Sequence, residues 1–233
     1  MTGTFINVAA IVLGTAVGTL VGSRLPQGLQ ERVLAGLALV TLVIGVENAL
    51  AWSDTNPLYV MGGVLIGGLI GEQLDIEGRL KRLGDRLQAR VAHRPGGSTV
   101  SEGFVTASLL FCIGPLAVLG SLQDGLTGDL ELLATKALLD GFASIALAAT
   151  LGIGVGFSAL SVLLLQGAIT LGAGGLEPVL GEGSEALAAL TSAGGMLVIG
   201  IALRLGEIKD VKVGNFLPAL VVAPALVGIG SLF

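Results

Sequence analysis

The sequence predicts an all-α fold: a polytopic transmembrane helical bundle of about eight spans, with inverted-topology repeats and a broken helix at Gly114-Pro115. Three observations predict it. The 233-residue chain is 53% hydrophobic and only 12% charged, and it carries 38 glycines at a mean hydropathy of +0.91, beyond what ordinary soluble domains reach. Apolar runs of about 17 to 25 residues, the length that crosses a bilayer, recur along its whole length. The charged residues between the runs sort by sign. Aromatic residues make up 4% and there are seven prolines, so the glycines form neither a collagen repeat nor a disordered linker. The composition excludes nucleic-acid binders, coiled coils and secreted disulfide scaffolds, and a single cysteine cannot close an internal disulfide.

The predicted spans lie at roughly 5–22, 32–51, 57–74, 104–120, 132–151, 155–172, 186–204 and 214–232. They form one integral membrane domain, 1–233: the first three spans in 1–75, a basic amphipathic segment in 76–102, spans four and five in 103–154, and the last three spans in 155–233. The first run begins at Phe5 with no basic region before it and no small-residue cleavage pattern after it, which reads as a retained helix rather than a signal peptide. Gly14-x-x-x-Gly18-x-x-x-Gly22 in span one and Gly63-x-x-x-Gly67-x-x-x-Gly71 in span three make narrow smooth strips. Such strips serve close packing within the bundle or a homo-oligomer interface. Asp75 to Glu102 is the only sizeable polar segment, and Ile76, Leu80, Leu83, Leu87 and Val91 mark one face of a helix that would lie on the inner, anionic membrane surface. His93 follows in a flexible exit loop and reads as solvated. Leu132 to Leu171 is too long for one crossing, and Gly152, Gly154 and Gly156 near its middle predict a tight turn.

Charge sets the expected orientation. With the amino terminus outside, eleven of the twelve Lys and Arg fall on the inner side: Arg24 and Arg32; Arg79, Lys81, Arg82, Arg86, Arg90 and Arg94; Arg204, Lys209 and Lys212. The outer segments carry Asp54, Asp124, Asp129, Glu131, Glu177, Glu182 and Glu185, with no Lys or Arg. This separation predicts eight spans with both termini external. Spans two and seven share Leu-Val-Ile-Gly at 42–45 and 197–200. Asn56 and Asn215 begin spans three and eight fifteen residues before Gly71 and Gly230. A weaker echo relates span one to span four. Spans two and seven cross in opposite directions, which makes the repeat an inverted one, a plan common among secondary transporters and some channels.

Chemistry can sit at few places. Phe111-Cys112-Ile113-Gly114-Pro115 lies mid-span, where proline removes a backbone donor and glycine lets the chain bend. The reading is a break whose freed carbonyls line a solute or ion site, or a packing kink. Cys112 reads as a packing residue, since no His or second Cys is placed to activate it. Gln123 and Asp124, in Leu122–Asp129, form an acidic vestibule or a hydrophilic turn with an Asp capping the next helix. Lys136 and Asp140 lie one turn apart in span five, with Ser144 one turn further. A lone charge at a helix centre costs roughly 2.5–3.5 kcal/mol on the insertion scale, so intramembrane ionisable residues are functional candidates by default. Lys136, nearer the outer end, has the option of snorkelling. Gln166 sits deep in span six. Asn7, Glu47, Asn48 and Asn215 are secondary polar candidates. No metal-ligand or phosphate-loop spacing occurs, and no cofactor is implied.

Gly3-Thr4-x-x-Asn7, Phe111–Pro115, Gly120–Asp129, Leu139-Asp140-Gly141-Phe142-Ala143-Ser144 and Thr150–Val155 together resemble the bacterial membrane proteins known as domain of unknown function 554, YqgA-like or YdfK-like. The resemblance covers nearly the whole chain. It implies a bacterial inner-membrane location and no particular activity, and it would place proline where Ser161 stands. The functional expectation therefore rests on the residues: a transporter or channel for a small solute or cation, with a site near Gly114, Asp140 and Gln166. The alternative is a non-transporting scaffold or oligomerisation partner. No Ser/His, His-rich or paired-aspartate spacing points to an enzyme. The bilayer is the expected environment, with no nucleic-acid partner.

Overall fold

Apolar runs in this chain become helices because only a helix satisfies its own backbone in hydrocarbon. The computed structural model describes residues 1–91 and 99–230 and is all-α among them. The helices are α1 (Thr2–Gly22), α2 (Gln27–Ala49), α3 (Pro57–Leu74), α4 (Ile76–Val91), α5 (Thr99–Cys112), α6 (Pro115–Leu126), α7 (Glu131–Leu151), α8 (Ser158–Leu171), α9 (Ala173–Leu180), α10 (Glu185–Leu205) and α11 (Ala219–Gly230). Short 3₁₀ turns occupy Leu50–Asp54, Gly152–Phe157 and Val213–Phe216. Among the described residues six stretches are long and apolar enough to cross a membrane, and a seventh arises if α5 and α6 count as one bent span. His93 and Arg94 lie outside the described residues, as do the side chains of Leu87, Arg90 and Val91.

The stretch Glu131–Leu171 has 41 residues, about 60 Å if it were one straight helix, twice the hydrocarbon thickness. It is not straight. Gly152 takes φ 72, a conformation that suits glycine alone, and the chain turns back through Gly152–Phe157. A side chain at Gly120 would meet Leu133, at the start of α7, and one at Gly125 would meet Thr170, at the end of α8. Both ends of the stretch therefore lie beside α6, and α7 and α8 run antiparallel.

The glycine strips decide the packing. The most extensive contact in the fold is α1 on α7, where side chains at Gly14, Gly18 and Gly22 would collide with the carbonyls of Gly141, Ile145 and Ala149. Each step of four on α1 matches a step of four on α7, so these helices are parallel. On α3, Gly63, Gly67 and Gly71 meet Ala223, Ala219 and Asn215 in descending order, so α3 and α11 are antiparallel. Gly45 meets Ile199 while Gly195 meets Ala49, and Ser192 Oγ donates to the Ala49 carbonyl at 2.9 Å; α2 and α10 are antiparallel too. Both strips are thus filled within the chain, because glycine lets two backbones approach and gain dispersion contacts that lipid cannot supply. Neither strip remains open to join a second copy.

The basic amphipathic segment is a helix as predicted, but lipid does not cover its whole apolar side. Leu80 packs against the central core, Gly84 is held against Ser101, and Ser101 Oγ donates to the Lys81 carbonyl at 3.1 Å; Leu83 is exposed. The elbow between α3 and α4 turns at Asp75, φ 46. It is locked by Asn215, whose Oδ1 accepts the Glu77 N–H at 2.8 Å while Glu77 Oε2 accepts the Gly214 N–H at 2.8 Å. Each joint caps the other.

Candidate functional site

The break predicted at Gly114-Pro115 is present. α5 ends at Cys112, α6 begins at Pro115, and their axes bend by 63°. Gly114 sits at φ 137, where an L side chain is strained, yet a Cβ there would meet nothing within 4 Å. Backbone conformation, not crowding, requires this glycine. Proline at the first helical position lacks only a donor that would be unsatisfied anyway. Cys112 is half-buried against the core, and α5 and α6 on either side of the break both pack against α7, the helix that carries Lys136 and Asp140.

Those charges are buried as a pair. Lys136 Nζ donates to Asp140 Oδ2 at 2.6 Å, and Asn7 Nδ2 donates to the same oxygen at 2.9 Å. Lys136 and Asp140 are each 6% exposed and Asn7 is fully buried. Lys136 does not snorkel, because the carboxylate one turn away on its own helix face offers a closer partner than interfacial water. Asn7 reaches Asp140 because the strip on α1 brings the two backbones together. Asn7, a secondary candidate in the sequence, is thus a direct partner of Asp140.

On the helices that carry and adjoin this pair, polar atoms are only partly satisfied. Asn7 Oδ1, Ser144 Oγ, both ends of the Gln166 amide, and the hydroxyls of Thr4, Thr15 and Thr170 are buried with no hydrogen-bond partner among the described residues. An unpaired buried polar group costs about 1–3 kcal/mol, and native structures hold few of them. Here they gather on α1, α7 and α8. Gln166 is 1% exposed. The sequence singles out none of these threonines as a site residue, although Thr4–Asn7, Lys136–Asp140–Ser144 and Gln166–Thr170 each share a helix face at spacings of three or four.

The other predicted residues lie elsewhere. Gln123 and Asp124 sit on α6, which continues through Leu126, so they are not in a turn; Asp124 is buried and pairs with the Met1 amino group at 2.9 Å. The turn itself begins at Thr127, and Asp129 Oδ1 caps the next helix by accepting the Glu131 N–H at 3.0 Å. Glu47 is exposed and Asn48 half-buried, at the far end of α2. Asn215 holds the α3–α4 elbow and also donates to Glu72 Oε2 at 2.6 Å. Ser161 lies within an unbroken α8 and shares a hydrogen bond with Ser108 at 2.9 Å. No group of three or more His, Cys, Asp or Glu able to hold a metal ion occurs among the described residues.

Comparison with known proteins agrees with the membrane architecture. The family described as protein of unknown function (DUF554) matches residues 2–228. The uncharacterized membrane protein YdfK of Bacillus subtilis (strain 168) is 30% identical over 230 residues, 97% of this chain and 96% of that protein. The uncharacterized protein YqgA of Escherichia coli (strain K12) is 30% identical over 227 residues, 96% of this chain and 95% of that one. No solved structure matches.

Proposed function

The chain belongs to the DUF554 family of multi-pass bacterial membrane proteins, and from that premise we propose that it carries a small polar solute across the inner membrane through the site at Asp140. One observation carries this reading: a buried Lys136–Asp140–Asn7 cluster, with unpaired hydroxyl and amide groups on the same two helices and on the adjoining α8, beside a helix broken in mid-span. Groups that lack protein partners are the ones that a polar solute or water would satisfy. Lys136 neutralises the carboxylate, so a bare cation would meet an ammonium group. A neutral or zwitterionic molecule offering both donors and acceptors suits the site better. No residue here is assigned a catalytic role.

The proposed topology has eight crossings, both termini outside, and inverted repeats. The helix directions support it. Because α1 and α7 are parallel while α2 opposes α10 and α3 opposes α11, one further crossing must separate α7 from α10, and α8 supplies it. The repeat partners proposed from sequence, spans two with seven and three with eight, are the helices that pack on each other. Basic residues then gather inside, as orientation by positive charge requires.

The test is uptake by the purified chain in liposomes, against a panel of zwitterionic and neutral metabolites and of monovalent and divalent cations. Transport predicts flux of a polar solute that Asp140→Asn abolishes while the protein stays folded. A folded wild-type protein with no flux for any member of the panel would favour the scaffold reading instead.

A further inference from the structure

The basic end of the molecule holds two adjoining cavities. One, about 140 Å³, is lined by Glu77 and Lys81 of α4, Ser101, Glu102 and Val105 of α5, and Arg204 of α10. The second, about 280 Å³, shares Glu102 and Arg204 with the first and adds Glu207, Lys209 and Asp210, all three exposed. An open outer chamber therefore leads to a smaller inner one roofed by α4. Arg204 spans them, donating to Glu77 Oε1 at 2.8 Å and lying 3.5 Å from Asp210 Oδ1.

The inner chamber ends on α5, and α5 continues to the break. Glu102, Val105, Leu109 and Cys112 recur at three and four residues, which puts them on one face of that helix. Glu102 lines the cavity, and Cys112 ends α5 at the break, where α5 and α6 both pack against α7, the helix of Lys136 and Asp140. Between them Val105 and Leu109 are each 3% exposed, in the same apolar cluster as Ile201 and Leu205 of α10. The blocked distance from Val105 to Cys112 is seven residues of helix, about 10 Å.

We propose that this cavity is the access port to the Asp140 site from the basic side of the membrane, closed by Val105 and Leu109. The proposal rests on the transport reading. The port is lined by carboxylates and bases in comparable number, Glu77 and Glu102 against Lys81 and Arg204, which admits zwitterionic and neutral solutes without selecting either charge. Opening requires α5 and α10 to part at two apolar side chains, while the mutual caps of Glu77 and Asn215 keep the α4 roof attached.

Cys112 is the only cysteine, so the unaltered chain carries its own reporter at the far side of the plug. In vesicles with the α4 side outward, a membrane-impermeant methanethiosulfonate should label wild-type Cys112 slowly. Leu109→Ala should raise the rate at least about tenfold, since truncating a buried leucine removes much of the packing that holds the plug shut. Val105→Thr, of nearly the same shape but with a hydroxyl that wets the plug, should act in the same direction and guards against misfolding of the first variant. Leu147→Ala, equally buried in the same cluster on α7, should not. On the Leu109→Ala background, Glu102→Lys should shift the preference several-fold toward an anionic reagent over a cationic one.

Unchanged rates in both plug variants, equal acceleration by Leu147→Ala, or an unaltered charge preference would each overturn the port. Asp140-dependent flux without these labelling changes would discard the port and leave transport standing. The labelling changes in a protein that moves no solute would keep the port and discard transport.

Discussion

Replacing Lys136 with Met removes the ammonium 2.6 Å from Asp140 Oδ2 and leaves that carboxylate with Asn7 as its remaining donor. The lysine and aspartate side chains are only 7% and 9% exposed, so water cannot take over. Stranding one member of a buried pair costs about 3–5 kcal/mol, and the insertion cost of a lone mid-membrane charge is roughly 2.5–3.5 kcal/mol. Each single change, Lys136→Met or Asp140→Asn, should therefore destabilise by about 3 kcal/mol. The double variant has no charge left to strand and should fall within about 1 kcal/mol of wild type. The cycle then leaves a coupling of roughly 5 kcal/mol, readable from reversible unfolding of micellar protein by titration with sodium dodecyl sulfate. Additive single effects below about 1 kcal/mol each would mean that both side chains reach water, and the buried site would be refuted. A stable double variant that still transports would refute its functional role.

Two glycines should respond with opposite signs to the same substitution. Gly18→Ala drives a methyl into the Ile145 carbonyl and to 2.9 Å from Ala148 Cβ, and should cost about 1–3 kcal/mol as overpacking. Gly36→Ala, on α2 with nothing within 4 Å, should stabilise by about 0.5–1 kcal/mol through helix propensity; the same unfolding titration checks both. Asn215→Ala deletes the cap on the Glu77 N–H and the bond to Glu72, and should cost about 1–2 kcal/mol and expose the α3–α4 elbow to limited proteolysis.

The helical spans were readable because each lies in a long apolar run, and the break was readable because Gly-Pro acts on its own backbone whatever surrounds it. The turn at Gly152 was readable for a similar reason, reinforced by a run too long to cross once. Lys136–Asp140 was visible as an i, i+4 pair. Its third member was not: Asn7 is 133 positions from Asp140, and only the fit of α1 onto α7 brings it there. Of the two readings of Leu122–Asp129, the turn holds for its end, where Asp129 accepts the Glu131 N–H, whereas Gln123 and Asp124 lie on α6, because polar residues near a span's end look alike whether the helix stops or runs one turn further.

Composition, run length and charge sign depend on each residue's own transfer energy, so the membrane class, the approximate spans and the sorting of basic from acidic ends belonged to the linear sequence. The role of the glycine strips did not. Spacing makes a smooth face but names no neighbour, and it took the packed chain to put α7 on one strip and α11 on the other. The same holds for the polar groups: hydroxyl and amide groups on α1, α7 and α8 each look like ordinary helix glue alone, and only the packed chain shows which of them are buried without partners. Pairing is a property of distance in space, and no one-dimensional spacing carries it between helices more than a hundred residues apart.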